Sequence, residues 1–124
     1  MYIAVDFDGT VVSHMYPEVG EDNPMAEEVL KELVNNNHKL ILYTMRPDEY
    51  LEDAINWYKE KGIELWDINN NRSQKFWTNS PKVYANLYID DSALGTPLIY
   101  DEVSGRDKVD WLKVKELLIK KNII

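Results

Sequence analysis

The chain of 124 residues carries 22 Asp and Glu against 14 Lys and Arg, a formal charge of −8, with 44% hydrophobic residues and no cysteine. That length supports one hydrophobic core, so a single domain over residues 1–124 is expected, and the absence of cysteine excludes thiol catalysis and zinc–thiolate sites. The acidic balance opposes sequence-independent nucleic-acid binding. No apolar run reaches the length of a membrane span and Met1 to Val5 is too short for a signal peptide, so cytoplasmic residence is the expectation.

In chain order, Tyr2-Ile3-Ala4-Val5-Asp6-Phe7 reads as a strand buried on both faces, ended by the turn chemistry of Asp8-Gly9-Thr10. Residues 13–24 have loop composition, and Met25, Val29, Leu30, Leu33 and Val34 then recur at helical spacing. Asn23 is the expected N-cap of that helix, Pro24 its first residue and Asn35-Asn36-Asn37 its stop. Lys39 to Thr44 is a second buried strand. It leads through Met45 to Asp48 into a helix with Leu51, Ala54, Ile55 and Tyr58 on one face and Gly62 as its C-terminal cap.

Ile63 to Trp66 is expected as a third strand, residues 67–81 as loop, Asn86 to Ile89 as a fourth strand and Pro97 to Tyr100 as a fifth. A last helix is expected to start near Asp107, carrying Val109, Leu112, Leu117 and Ile119. Trp57 and Trp66 are read as core, and His14 and His38 as solvated. The alternation of strands and helices predicts an α/β domain with a parallel sheet covered by helices on both faces. Ligands of such sheets sit beyond the carboxyl ends of the strands.

Those ends carry the polar residues. Asp6 and Asp8 lie on one side of an extended backbone and approach one crevice. A carboxylate pair suits nucleophilic phosphoryl transfer, one oxygen attacking phosphorus while a second acid protonates the leaving alkoxide. Asp-x-Asp-Gly also serves as a plain turn. Asp90 and Asp91 end another buried strand, and four converging carboxylates repel one another unless a cation sits among them, for which Mg²⁺ with its oxygen ligands is suited. Thr44 can donate a hydroxyl hydrogen bond to a phosphoryl oxygen. A lysine is still required for the charge of the transition state, with Lys82 chosen over Lys75. Arg46 is read either as a bidentate clamp on a phosphate or substrate carboxylate or as an ion-pair partner of Asp48 or Glu49. Asn69 to Arg72 and Trp77 are expected on a loop that rims the crevice.

The run Val5-Asp6-Phe7-Asp8-Gly9-Thr10-Val11, then Leu40-Ile41-Leu42-Tyr43-Thr44, then Lys82 upstream of Tyr88-Ile89-Asp90-Asp91, resembles the four motifs of the haloacid dehalogenase-like (HAD) superfamily in their usual order. The resemblance implies a three-layer Rossmann-like fold, Mg²⁺ and a covalent aspartyl-phosphate. It makes Asp6 the nucleophile and a metal ligand, and Asp8 the general acid/base whose backbone carbonyl reaches the metal. Thr44 and Lys82 become the phosphate binders, and Asp90 and Asp91 complete the metal site. An aspartate at position 8 accompanies phosphatases and phosphotransferases in that superfamily. Residues 11–24 and 66–82 leave no room for a cap domain, so a capless type is expected, suited to a bulky phosphorylated substrate or to a homo-oligomer whose neighbour forms the lid. The expected function is Mg²⁺-dependent phosphomonoester hydrolysis. The alternatives are a catalytically quiet phospho-ligand or partner-binding module, a receiver-like domain, and a polynucleotide or sugar phosphate processing enzyme.

Overall fold

A computed structural model describes residues 1–124. Four short strands, β1 (Tyr2–Val5), β2 (Lys39–Leu42), β3 (Asp67–Ile68) and β4 (Leu87–Ile89), form one sheet in the order β3-β2-β1-β4. All its pairings are parallel: Ile3 stands opposite Leu40 on one side and Leu87 on the other, and Ile41 opposite Asp67. Between β1 and β2 runs α1 (Ala26–Asn35), and between β2 and β3 runs α2 (Asp48–Lys61), capped by Gly62 at φ +70° as the sequence predicts. An antiparallel hairpin, β5 (Leu98–Asp101) and β6 (Arg106–Val109), stands apart from the sheet and is followed by α3 (Trp111–Lys120).

Strand alternation sorts the core. Ile3 and Val5 of β1 and Leu40 and Leu42 of β2 point to one face, where they join Leu30 and Leu33 of α1, Ala54 and Tyr58 of α2 and Val114 and Leu118 of α3 in one buried cluster. Two right-handed crossovers stepping in the same direction put α1 and α2 on that same face. The return from β3 to β4 crosses the opposite face through residues 69–86, whose helical content is one 3₁₀ turn, Gln74–Phe76. On that face Tyr2 meets Trp66 tilted and Tyr84 edge-on, at ring centroid distances of 5.0 and 5.8 Å, and the Ser73 hydroxyl donates to the Tyr2 hydroxyl. The parallel sheet is therefore flanked by three helices on one side. The other side, also expected to carry helices, is covered by a polar, aromatic-pinned segment whose residues 67–81 the sequence reads as loop.

Several expectations shift. Asn23 does not cap α1, whose N-cap is Met25 at φ +70°. Asn23 is buried, and its amide donates to the carbonyls of Thr10 and Val109, both at 2.8 Å, tying the first loop to β6. Ile63 to Trp66 is not a strand: the Ile63 amide bonds back to the Tyr58 carbonyl, closing α2, and pairing with β2 begins only at the Trp66 amide. Residues 106–109 form β6 rather than helix, and α3 starts after Asp110, whose carboxylate accepts from the Lys113 amide. Trp57 is core, but Trp66 is half-buried under the guanidinium of Arg72. His38, expected at the surface, is half-buried and joins the two ends of the chain, with Nδ1 3.0 Å from the N-terminal amine and Nε2 2.8 Å from the Ile123 carbonyl. No helix is long and apolar enough to cross a membrane.

Candidate active site

Because β1 and β4 are neighbouring parallel strands in register, the residues that follow them emerge side by side. The Asp6 amide still bonds to the Ile89 carbonyl at 3.0 Å, and Asp90 and Asp91 come next on the partner strand. Oxygens of Asp6, Asp90 and Asp91 lie within 4.8 Å of one another. They open into a crevice of about 480 Å³ beyond the carboxyl ends of the strands, where the topology predicts a site.

Thr10 fixes this trio. Its hydroxyl donates to Asp6 Oδ2 at 2.8 Å and accepts from the Asp91 amide at 3.2 Å. Its carbonyl is held by Asn23 and by the Trp111 indole at 2.7 Å. Fully buried, Thr10 is a positioning residue that the sequence reading treated only as turn chemistry. Gly9 is required beside it: at φ +77° it adopts a left-handed conformation, and a Cβ there would stand 2.4 Å from Asp91 Oδ2. Asp90 also shapes its own turn, accepting from the Ser92 amide at 2.8 Å.

The trio carries uncompensated charge. Burial, then the neighbouring Asp90, push the Asp6 carboxyl up to about 8, against the opposing Thr10 hydrogen bond. Asp91 is raised as well, burial leading and Asp90 adding to it, while the positive charge of Arg106 pulls it down. Burial and the charge of Asp6 push the ionisation of the Tyr58 hydroxyl upward, and that hydroxyl has no hydrogen-bond partner. Three clustered carboxylates with no nitrogen or sulfur donor suit a hard divalent cation such as Mg²⁺, so the residues present fit that ion.

Asp8 lies in the crevice but its carboxylate is not part of the trio. Arg46 holds it bidentately, Nε to Oδ2 at 2.8 Å and a terminal nitrogen to Oδ1 at 2.7 Å. The remaining guanidinium donors bond the carbonyls of Pro17, Glu18 and Tyr50, and the guanidinium lies 5.1 Å from the ring centres of both Phe7 and Tyr16. Arg46 thus pairs with neither Asp48 nor Glu49 and has no donor left for phosphate, which departs from both sequence readings. Thr44 lines the crevice as expected. Its amide is held by Asn69 and its hydroxyl oxygen accepts from the Arg46 amide at 3.2 Å, which leaves the hydroxyl proton to donate.

Lys82 is not brought to the aspartates. It is exposed, with its ammonium 5.8 Å above the Tyr88 ring, in a separate cavity bordered by Gln74, Trp77 and Tyr84. Its competitor Lys75 is exposed against Phe76. Residues 69–72 and Trp77 do not line the crevice either: Asn69 braces Thr44, Asn71 bonds the Tyr84 carbonyl, and Trp77 packs on Tyr84. In their place the crevice is lined by His14, Tyr16, Met45 and Arg106. Arg106 escaped the sequence reading because its strand has no apolar alternation, and His14 reads as solvated because nothing in its loop marks the direction it faces.

No protein-family model and no curated protein matches the chain. Among solved structures it is similar to a conserved protein coded by locus from Bacteroides thetaiotaomicron, with 38% sequence identity, a TM-score of 0.81, and coverage of 98% of this chain and 91% of that one. The two chains belong to one family. They share this fold over nearly their whole lengths.

Proposed function

We propose that this chain is a capless HAD-like, Mg²⁺-dependent phosphohydrolase that cleaves phosphate monoesters with Asp6 as the nucleophile. The observation that carries the reading is the gathering of Asp6, Asp90 and Asp91 within 4.8 Å at the mouth of a parallel sheet, where burial and mutual repulsion favour capture of a hard cation. Bound among these carboxylates, Mg²⁺ would offset most of their charge and withdraw charge from the phosphoryl oxygens.

The chain's own residues account for the rest. The buried Thr10 hydroxyl fixes the Asp6 carboxylate by one oxygen, leaving the other to attack phosphorus. As the new bond forms, the ester oxygen leaves and takes a proton, and water then hydrolyses the aspartyl-phosphate to return Asp6 and free phosphate. Thr44 offers a hydroxyl proton to a phosphoryl oxygen. The motif resemblance gives the proton transfer to Asp8; here Asp8 accepts two hydrogen bonds from Arg46, and His14 is a further titratable group on the same crevice. The open crevice, with Tyr16 and Met45 exposed at it, suits substrates that bring their own bulk, sugar or polynucleotide phosphates among them.

A second reading, a catalytically quiet phospho-ligand module, is favoured by the Asp8–Arg46 pair and by the distance of Lys82 from the crevice. Hydrolysis of an aryl phosphate with Mg²⁺ and with chelator, in the wild type and in Asp6→Asn, separates the two. The phosphohydrolase reading expects Mg²⁺-dependent turnover that drops at least about a thousandfold in the variant. Equal activity in both proteins removes Asp6 as nucleophile. No turnover across a broad ester panel, with phosphate binding retained, supports the quiet module.

A further inference from the structure

We infer that Arg106, the first residue of β6, is the side chain that grips the phosphoryl group in the acidic crevice, a role the sequence pattern assigned to Lys82; the inference rests on the phosphohydrolase reading above.

The count of available cations leads to it. Two arginines line the crevice. Arg46 is 2% exposed, and its five N–H donors are all engaged by Asp8 and three backbone carbonyls. Lys82 and Lys75 stand against aromatic rings outside the crevice. Arg106 is exposed, lines the crevice, and its guanidinium takes part in none of the molecule's side-chain hydrogen bonds, salt bridges or ring contacts. Its charge reaches Asp91.

Charge balance then calls for a further positive group. Three ionised carboxylates outweigh one divalent cation, so a dianionic phosphate entering the loaded site meets net repulsion unless another positive group faces it. A guanidinium with its whole fork free can take two phosphate oxygens by parallel bonds of fixed geometry, where a lysine offers a rotatable point charge.

The mount is rigid enough to aim it. Arg106 pairs with Asp101 across the hairpin, and its carbonyl lies 3.3 Å from the Ser104 hydroxyl oxygen. The Asp101 carboxylate, 3% exposed, accepts from the Val103 amide, the Ser104 hydroxyl and Lys108. At the far end of β6 the Val109 amide bonds the Gly9 carbonyl at 3.0 Å, so the strand bearing Arg106 is hydrogen-bonded directly to the loop bearing Asp6 and Asp8. The hairpin thereby serves as one wall of the site.

The test measures inorganic phosphate binding by calorimetry in the presence of Mg²⁺, alongside aryl phosphate kinetics, for the wild type, Arg106→Gln and Arg106→Lys. In Arg106→Gln, the phosphate Kd and the KM are expected to rise about 10- to 100-fold. Arg106→Lys should recover part of this and added guanidinium should rescue Arg106→Gln, while both variants keep the Mg²⁺-induced rise in Tm. Wild-type phosphate affinity and KM in Arg106→Gln would overturn the inference. Phosphate binding that depends on Arg106 in a protein that hydrolyses nothing would uphold it and retire the phosphohydrolase reading. A wild type that neither binds phosphate nor turns over substrate would end both.

Discussion

Arg46 joins parts of the chain that sequence spacing does not connect. Its partner Asp8 follows β1, its carbonyl acceptors are Pro17, Glu18 and Tyr50, and its guanidinium packs on Phe7 and Tyr16. A buried, fully engaged guanidinium stabilises by geometry as much as by charge, and truncating it strands Asp8 and three carbonyls together. Arg46→Ala is therefore expected to cost about 3–5 kcal/mol in urea unfolding, a large part of the roughly 5–15 kcal/mol typical of such a domain. Arg46→Lys should cost nearly as much, because an ammonium cannot make the fork. Asp8→Asn in the Arg46→Ala background should cost less than the two single losses combined, since the partner charge is already unpaired. A loss below about 1 kcal/mol for Arg46→Ala would mean that the network adds little. The local signal had pointed to Asp48 and Glu49 because they are the nearest carboxylates in sequence. The true partner is fixed only once β1 and β2 lie side by side, which no local pattern records.

The β5–β6 hairpin depends on the buried Asp101, so its stability should follow pH. Burial alone would raise the Asp101 carboxyl, but hydrogen bonding from Ser13, Ser104 and the Val103 amide, together with the charge of Lys108, outweighs burial and holds it below its ordinary value. The unfolded chain then binds the proton more readily than the folded one. The stabilisation is complete above the ordinary aspartate value of about 3.9 and is lost as pH falls through the lower folded value. Asp101→Asn should cost about 1–3 kcal/mol at pH 7 and flatten the loss of stability between about pH 5 and 3, as followed by urea midpoints. An unchanged acid limb would mean that Asp101 does not hold the hairpin. The same contrast explains which elements could be read beforehand. β1, β2 and β4 are short apolar runs whose only stable place is inside a sheet, and the polar residues at their ends, acidic after β1 and β4, were legible with them. β6 reads Arg-Asp-Lys-Val, an exposed ribbon specified by its partner strand and by Asp101 rather than by its own hydrophobicity, so it passed for the start of a helix. Ile63 to Trp66 has strand composition, yet the Ile63 amide closes α2 and strand pairing moves onward to Asp67 and Ile68.

Across the molecule the charge of −8 is concentrated most tightly where Asp6, Asp90 and Asp91 meet, so the site proposed for chemistry also opposes folding. A cation that binds the folded chain and not the unfolded one stabilises it by mass action, about 2.7 kcal/mol at a hundredfold excess over Kd and about 1.4 kcal/mol for each further tenfold. Mg²⁺ titrated at constant ionic strength should therefore raise Tm by a few degrees per tenfold step once it exceeds Kd. Asp6→Asn removes one repelling, half-buried carboxylate, so the metal-free variant should melt above the metal-free wild type while its Mg²⁺-dependent rise shrinks or disappears. These two changes have opposite signs and come from one substitution. A general salt effect cannot produce the pair, because K⁺ at equal ionic strength screens the repulsion in both proteins without a saturating midpoint. If Mg²⁺ and K⁺ shift the wild type equally, or if Asp6→Asn keeps the full Mg²⁺ response, the three carboxylates do not form a metal site and the proposed chemistry loses its foundation.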